Sequence, residues 1–202
     1  MHKGRLEAFS DGVLAIIITI MVLELRAPQH AAQIADLRPL LPVFLSYVMS
    51  FVYVGIYWNN HHHMLQVTQH VTGAVLWANL HLLFWLSLVP FATNWLGEND
   101  FARVPAALYG FVLLMCAAAY TILQATILRE PGGNELLARA IGKDTKGRAS
   151  VLLYIVAIAS AFVSSKVSVG IYVFVALMWL IPDPRIEKAI VHPSHEQPLA
   201  PK

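Results

Sequence analysis

The run Phe9-Ser10-Asp11-Gly12-Val13-Leu14-Ala15-Ile16-Ile17-Ile18-Thr19-Ile20-Met21-Val22-Leu23-Glu24-Leu25 decides the fold class. Between Gly12 and Leu23 its only polar side chain is Thr19. A stretch of this length and composition is read as a membrane-spanning helix, which needs about 20 mainly apolar residues. A secretory leader is the competing reading, because a short basic start precedes it. Ser10 and Asp11 interrupt the start of the run, and Leu23-Glu24-Leu25-Arg26 lacks the small residues of a cleavage site. The segment is therefore expected to be a mature helix.

The same pattern recurs along the chain. The 202 residues are 57% hydrophobic and 13% charged, with a mean hydropathy of +0.60; a soluble domain is about 45–50% apolar. Six helices are predicted: Phe9–Leu25, Leu40–Trp58, Val71–Trp95, Ala106–Leu128, Ala149–Ser164 and Val167–Ile181. One helix through the last two would be far too long, and Ser164-Ser165-Lys166 places a charge between them, so a tight hairpin is expected. The fold class expected is all-α: a polytopic membrane protein with a six-transmembrane-helix bundle. Residues 1–182 form that domain, and 183–202, with Pro184, Pro193, Pro198 and Pro201 and no apolar periodicity, form a tail predicted to be disordered.

Charge acts here through its placement, since the net charge is only +2 and no basic block suggests nucleic-acid binding. With the N-terminus inside, one side collects Lys3, Arg5, Arg129, Arg139, Lys143, Lys146, Arg148, Arg185, Lys188 and Lys202. The other keeps Arg26, Arg38, Arg103 and Lys166. Lys and Arg mark the cytoplasmic side, so both termini are expected in the cytoplasm. The single cysteine, Cys116, excludes an intramolecular disulfide and reads as a small buried hydrophobe.

Three groups of residues invite a functional reading. Asp11, at the edge of a span, must be paired or must cap its helix beside Ser10. Ile16, Thr19, Ile20 and Leu23, extended by Gly12 and Phe9, share one helical face, with Asp11 nearly opposite. From geometry alone such a stripe is most often lipid-facing or packed against a neighbouring helix and less often lines a pore, and a threonine such as Thr19 more often bonds its own helix backbone. The second helix ends in Trp58-Asn59-Asn60-His61-His62-His63. Three consecutive helical residues point about 100° apart and cannot all face one ion, so no metal site is expected. Asp11 and His61 fall at the same membrane edge, where they are placed to join one polar network. Asn79 and His81 lie in the third helix and need partners on other helices. No phosphate loop, nucleophile motif or zinc-protease motif is present, so no enzymatic activity and no cofactor are expected.

Arg5-x-x-x-Phe9-Ser10-Asp11 followed by Ile16 to Leu25 resembles the signature of the transmembrane protein 175 family of potassium channels. Trp58-x-x-His61, Asn79-Leu80 and Leu88-Val89-Pro90-Phe91 are similar to further family positions. The resemblance implies a potassium-preferring passive channel. Prokaryotic members have one six-helix unit per chain and assemble as homotetramers, with the first helix lining a central pore. It further implies a hydrophobic constriction at Ile16, Ile20 and Leu23, a pore-facing hydroxyl at Thr19 linked to potassium preference, and a supporting interhelical network of Arg5, Ser10, Asp11, Trp58, His61 and Asn79. The absence of a TVGYG-like carbonyl filter suits a pore that gates by dewetting. The alternative from another class is a proton- or metal-coupled secondary transporter using Asp11 and the His61–His63 cluster, although paired repeats and broken midplane helices are not evident.

Overall fold

A computed structural model describes residues 3–27, 32–68, 70–129 and 145–180. The chain is all-helical over these residues: α1 (Lys3–Leu23), a 3₁₀ segment (Ile34–Leu40), α2 (Leu41–Val67), α3 (Gly73–Ser87), α4 (Val89–Glu98), α5 (Arg103–Leu128), α6 (Thr145–Ala161) and α7 (Ser165–Leu180). The expected tail 183–202 and the basic residues Arg139, Lys143, Arg185, Lys188 and Lys202 lie outside the described residues.

Among the described residues, four segments are long and apolar enough to cross a membrane: α1, the 3₁₀ segment with α2, α3 with α4, and α5. α6 and α7 form a hairpin, turning at residues 162–164, where Ser164 N–H donates to Ser160 C=O at 2.8 Å, and α7 is a shorter apolar helix. Serines and a lysine at the bend let the chain reverse where a continuous helix would overrun the bilayer.

Several helix ends shift by a few residues from the sequence reading, and three differences bear on the site. First, α1 begins at Lys3 rather than Phe9, so Ser10 and Asp11 lie inside the helix and cap nothing. Lys3 and Glu7 support the added turn as an i,i+4 pair at 3.8 Å. Second, α2 does not stop at Trp58 but runs to Val67. Asn60, His62 and Gln66 find partners within the helix, Asn60 Nδ2 donating to Ile56 C=O at 2.8 Å and Gln66 Nε2 meeting His62 Nε2 at 2.8 Å. Third, the single helix expected over Val71–Trp95 is two, parted at Leu88. Pro90 has no N–H and its ring crowds the preceding turn, so the ladder breaks there and Leu88 N–H falls back on Trp85 C=O at 3.2 Å.

At the centre, α5 packs against α3, α4, α6 and α7; α1 lies to one side against α2, α3 and α4. The core is apolar with a thread of hydroxyls, because side-chain polar groups in lipid must be satisfied within the protein. Thr93 Oγ1 lies 2.7 Å from both Ser50 Oγ and the Val89 carbonyl, and Ser50 Oγ reaches Tyr109 OH at 2.9 Å. Tyr53 OH donates to Tyr172 C=O at 2.6 Å, and Tyr172 OH to Ala106 C=O at 2.9 Å. Close crossings need glycine: a Cβ on Gly97 would sit 2.6 Å from Val43 Cα, and one on Gly110 would overlap Tyr172 OH.

Candidate ion pathway and its polar support

The sequence of α1 divides it into two faces. Leu6, Ser10, Leu14, Ile17 and Met21, spaced by three and four residues, are buried against the bundle. The opposite face carries Phe9, Gly12, Ile16, Thr19, Ile20 and Leu23, all exposed in the single chain. Ile16 is 58% exposed, Ile20 42% and Leu23 75%. The four stripe residues thus share one free face. Thr19 Oγ1 donates its proton to the Ile16 carbonyl at 2.9 Å, so the oxygen lone pairs stay available on the outer side.

At the N-terminal end of this helix two sets of contacts tie it to its neighbours. In the inner one, Asn79 Nδ2 donates to Ser10 Oγ at 3.0 Å, while His61 Nε2 lies 2.7 Å from Asn79 Oδ1. All three side chains are buried. Since the amide oxygen can only accept, His61 donates from Nε2. This chain joins α1, α3 and α2 through one asparagine. In the outer set, Trp58 Nε1 donates to Asp11 Oδ1 at 3.0 Å. Trp58 stacks on His62 with ring centroids 5.9 Å apart, His62 meets Gln66, and Lys3 Nζ donates to the Gln66 carbonyl at 2.6 Å. Lys3 thereby covers one of the orphan carbonyls at the C-terminal end of α2.

Five of the six expected network residues are thus brought together, though not as one pairing. Asp11 bonds Trp58 and His61 bonds Asn79, with no direct hydrogen bond between Asp11 and His61. Arg5 is exposed and makes no hydrogen bond or ion pair among the described residues. The three histidines separate as helical geometry requires: His61 turns inward to Asn79, His62 lies beneath Trp58, and His63 Nδ1 is buried without a partner among the described residues. His81 accepts from Trp85 Nε1 within α3 at 3.0 Å. Sequence reasoning misses the Ser50–Thr93–Tyr109 cluster and the Lys3 cap. The signal for the first is the presence of hydroxyls at mid-span, Thr93 falling three residues after the helix-breaking Pro90. Met21 Sδ, on the buried face of α1, lies 4.0 Å from Thr93 Oγ1.

Residues 5–90, which carry both the free stripe and the polar support, match the family described as endosomal/lysosomal potassium channel TMEM175. A potassium channel of Chryseobacterium sp. (strain P1-3) is 57% identical over 190 residues, spanning 94% of this chain and 98% of its own. The chain belongs to the TMEM175 family. The crystal structure of a lysosomal potassium-selective channel TMEM175 homolog from Chamaesiphon minutus superposes with a TM-score of 0.79 at 33% identity, covering 89% of this chain and 96% of that one. Rat TMEM175, an endosomal/lysosomal proton channel, is 30% identical over 131 residues, 59% of this chain and 26% of its own length. This TMEM175 chain is accordingly a multi-pass membrane protein of an ion-channel family, not an enzyme.

Proposed function

We propose that this protein is a potassium-preferring passive channel in which α1 helices from four identical chains surround a central axis. Ile16, Ile20 and Leu23 form successive apolar rings of the constriction, with Thr19 as the oxygen-bearing position on that face. The observation that carries this reading is the division of α1: a branched apolar stripe left free on one side, while the other side is fixed in the bundle. Rotational symmetry turns each free position into a ring. A ring of branched side chains supplies no ligands, so a cation must enter with its water or pay for losing it. The Thr19 lone pairs are the only side-chain oxygens on that stripe to offset the loss. Potassium, the larger and less tightly hydrated ion, is the cation this arrangement favours.

The relatives named potassium channels support the choice of ion. The permeant ion is potassium, and no bound cofactor is part of the proposal. The concentration of Lys and Arg on one side supports cytoplasmic termini in a bacterial inner membrane. The coupled-transporter alternative gains no support from the histidines, which face three different environments, or from Asp11, which is held by Trp58.

Bi-ionic reversal potentials in potassium and sodium test the reading. Ile16→Asn should wet the constriction and raise sodium permeability relative to potassium; Thr19→Val should lower the preference for potassium. Ile16→Ala, smaller than Ile16→Asn but apolar, separates size from wetting: a purely steric barrier would open further in Ile16→Ala than in Ile16→Asn. Wild-type potentials in all three variants would place the pore away from this stripe.

A further inference from the structure

The 3₁₀ segment Ile34–Leu40 has no buried residue, yet it is a defined element. Asp36 Oδ2 accepts from the backbone N–H groups of Ala32 at 3.2 Å and Gln33 at 3.0 Å, and Asp36 N–H donates to Gln33 C=O at 3.0 Å. Local hydrogen bonds therefore hold the segment without help from the core.

Residues three apart eclipse in a 3₁₀ helix, which sorts this segment into three edges. Ile34, Leu37 and Leu40 make one wholly apolar edge, with Ile34 88% exposed. Ala35, Arg38 and Leu41 make the second, and Gln33, Asp36 and Pro39 the third. Arg38 has no ion pair or hydrogen bond among the described residues, while the carboxylate of Asp36 is committed to the backbone. The element thus offers an apolar edge beside an uncommitted cation.

Its depth is set by α2. Counting back about 20 residues from Asn59, where the apolar run of α2 gives way to Asn59-Asn60-His61, covers ~30 Å at ~1.5 Å per residue and ends at Pro39. The 3₁₀ segment therefore sits at the hydrocarbon edge of the opposite membrane face. Its exposed apolar edge continues directly into the exposed Leu41, Phe44, Leu45, Val48 and Phe51 of α2.

We propose that Ile34–Leu40 is an interfacial anchor: Ile34, Leu37 and Leu40 enter the acyl boundary of the leaflet, and Arg38 rises to a lipid phosphate. An apolar edge flanked by an arginine on a short helix at this depth has the chemistry of a surface-lying membrane element. The anchor would fix the start of α2 relative to the bilayer, independently of which ion the protein conducts.

Site-directed spin labelling of the full chain in phosphatidylcholine–phosphatidylglycerol liposomes tests this. Cys116 is fully buried in α5, so a nitroxide reports only the introduced cysteine. Labels at Ile34→Cys and Leu37→Cys should collide several-fold more often with oxygen than with an aqueous nickel chelate; a label at Ala35→Cys should show the reverse. Adding Arg38→Gln to Leu37→Cys should raise the nickel collisions. Labels at 34 and 37 as accessible to nickel as the label at 35 would overturn the proposal in favour of a solvated loop. Labels shielded from both reagents would overturn it in favour of a cover formed by a second copy of the chain. The substituted side chains are exposed, and thermal stability equal to wild type confirms that each labelled protein is folded.

Discussion

Asn79 is the residue on which the most buried polarity depends. It gives a hydrogen to Ser10 and accepts one from His61, so α1, α2 and α3 meet at a single amide. Asn79→Leu keeps the branched outline but leaves a hydroxyl and an imidazole unpaired, at about 1–3 kcal/mol for each group. Thermal unfolding in detergent should show a clearly lowered midpoint. Removing His61 in the same background should cost little more, because its partner is already gone. Trp58→Phe should behave differently: it removes one half-exposed hydrogen bond to Asp11 and leaves the inner chain intact. Its midpoint should fall by less than that of Asn79→Leu. Equal losses in the two variants would mean that burial does not separate the two sets of contacts.

The crossing of α2 and α4 is limited by backbone contact. A methyl group on Gly97 would lie 2.6 Å from Val43 Cα and 2.5 Å from Ser46 Oγ, and main chain cannot rotate away as a side chain can. Gly97→Ala should therefore cost about 1–3 kcal/mol or more by overpacking, read as a lower unfolding midpoint or loss of folded protein. Gly170→Ala in α7 meets nothing within 4 Å and should leave the midpoint unchanged or raise it slightly, since alanine is the better helix former by about 1 kcal/mol. The existence of these helices is legible from apolar runs such as Phe9 to Leu25, because lipid leaves a spanning chain few other choices. Their ends are less legible. Partners within the helix for Asn60 and His62, and on α3 for His61, let α2 continue where composition suggests an end, and one proline divides α3 from α4 within an otherwise uniform run. The stripe on α1 is legible as a face because helical spacing fixes it; what that face meets depends on other chains. The Lys3 cap and the Thr93 cluster depend on packing between distant segments, which spacing does not encode.

For the whole molecule, the exposed apolar surface of α1 sets the expectation for assembly. A detergent-corrected mass should be four times the 22.4 kDa chain. Leu23→Lys, on the free face, should leave the fold of each chain intact while altering conduction or assembly, and a stable monomer in the wild type would remove the basis for an axial pore. The buried face of α1 should respond in the opposite way: Ile17→Asn, at a position 3% exposed, should unfold the chain before any current can be recorded. One helix therefore serves two constituencies that share no side chains. On the proposed pore, substitutions along the outer stripe would leave the inner one undisturbed, so a lineage would be free to retune what passes through such a molecule while inheriting an unchanged scaffold.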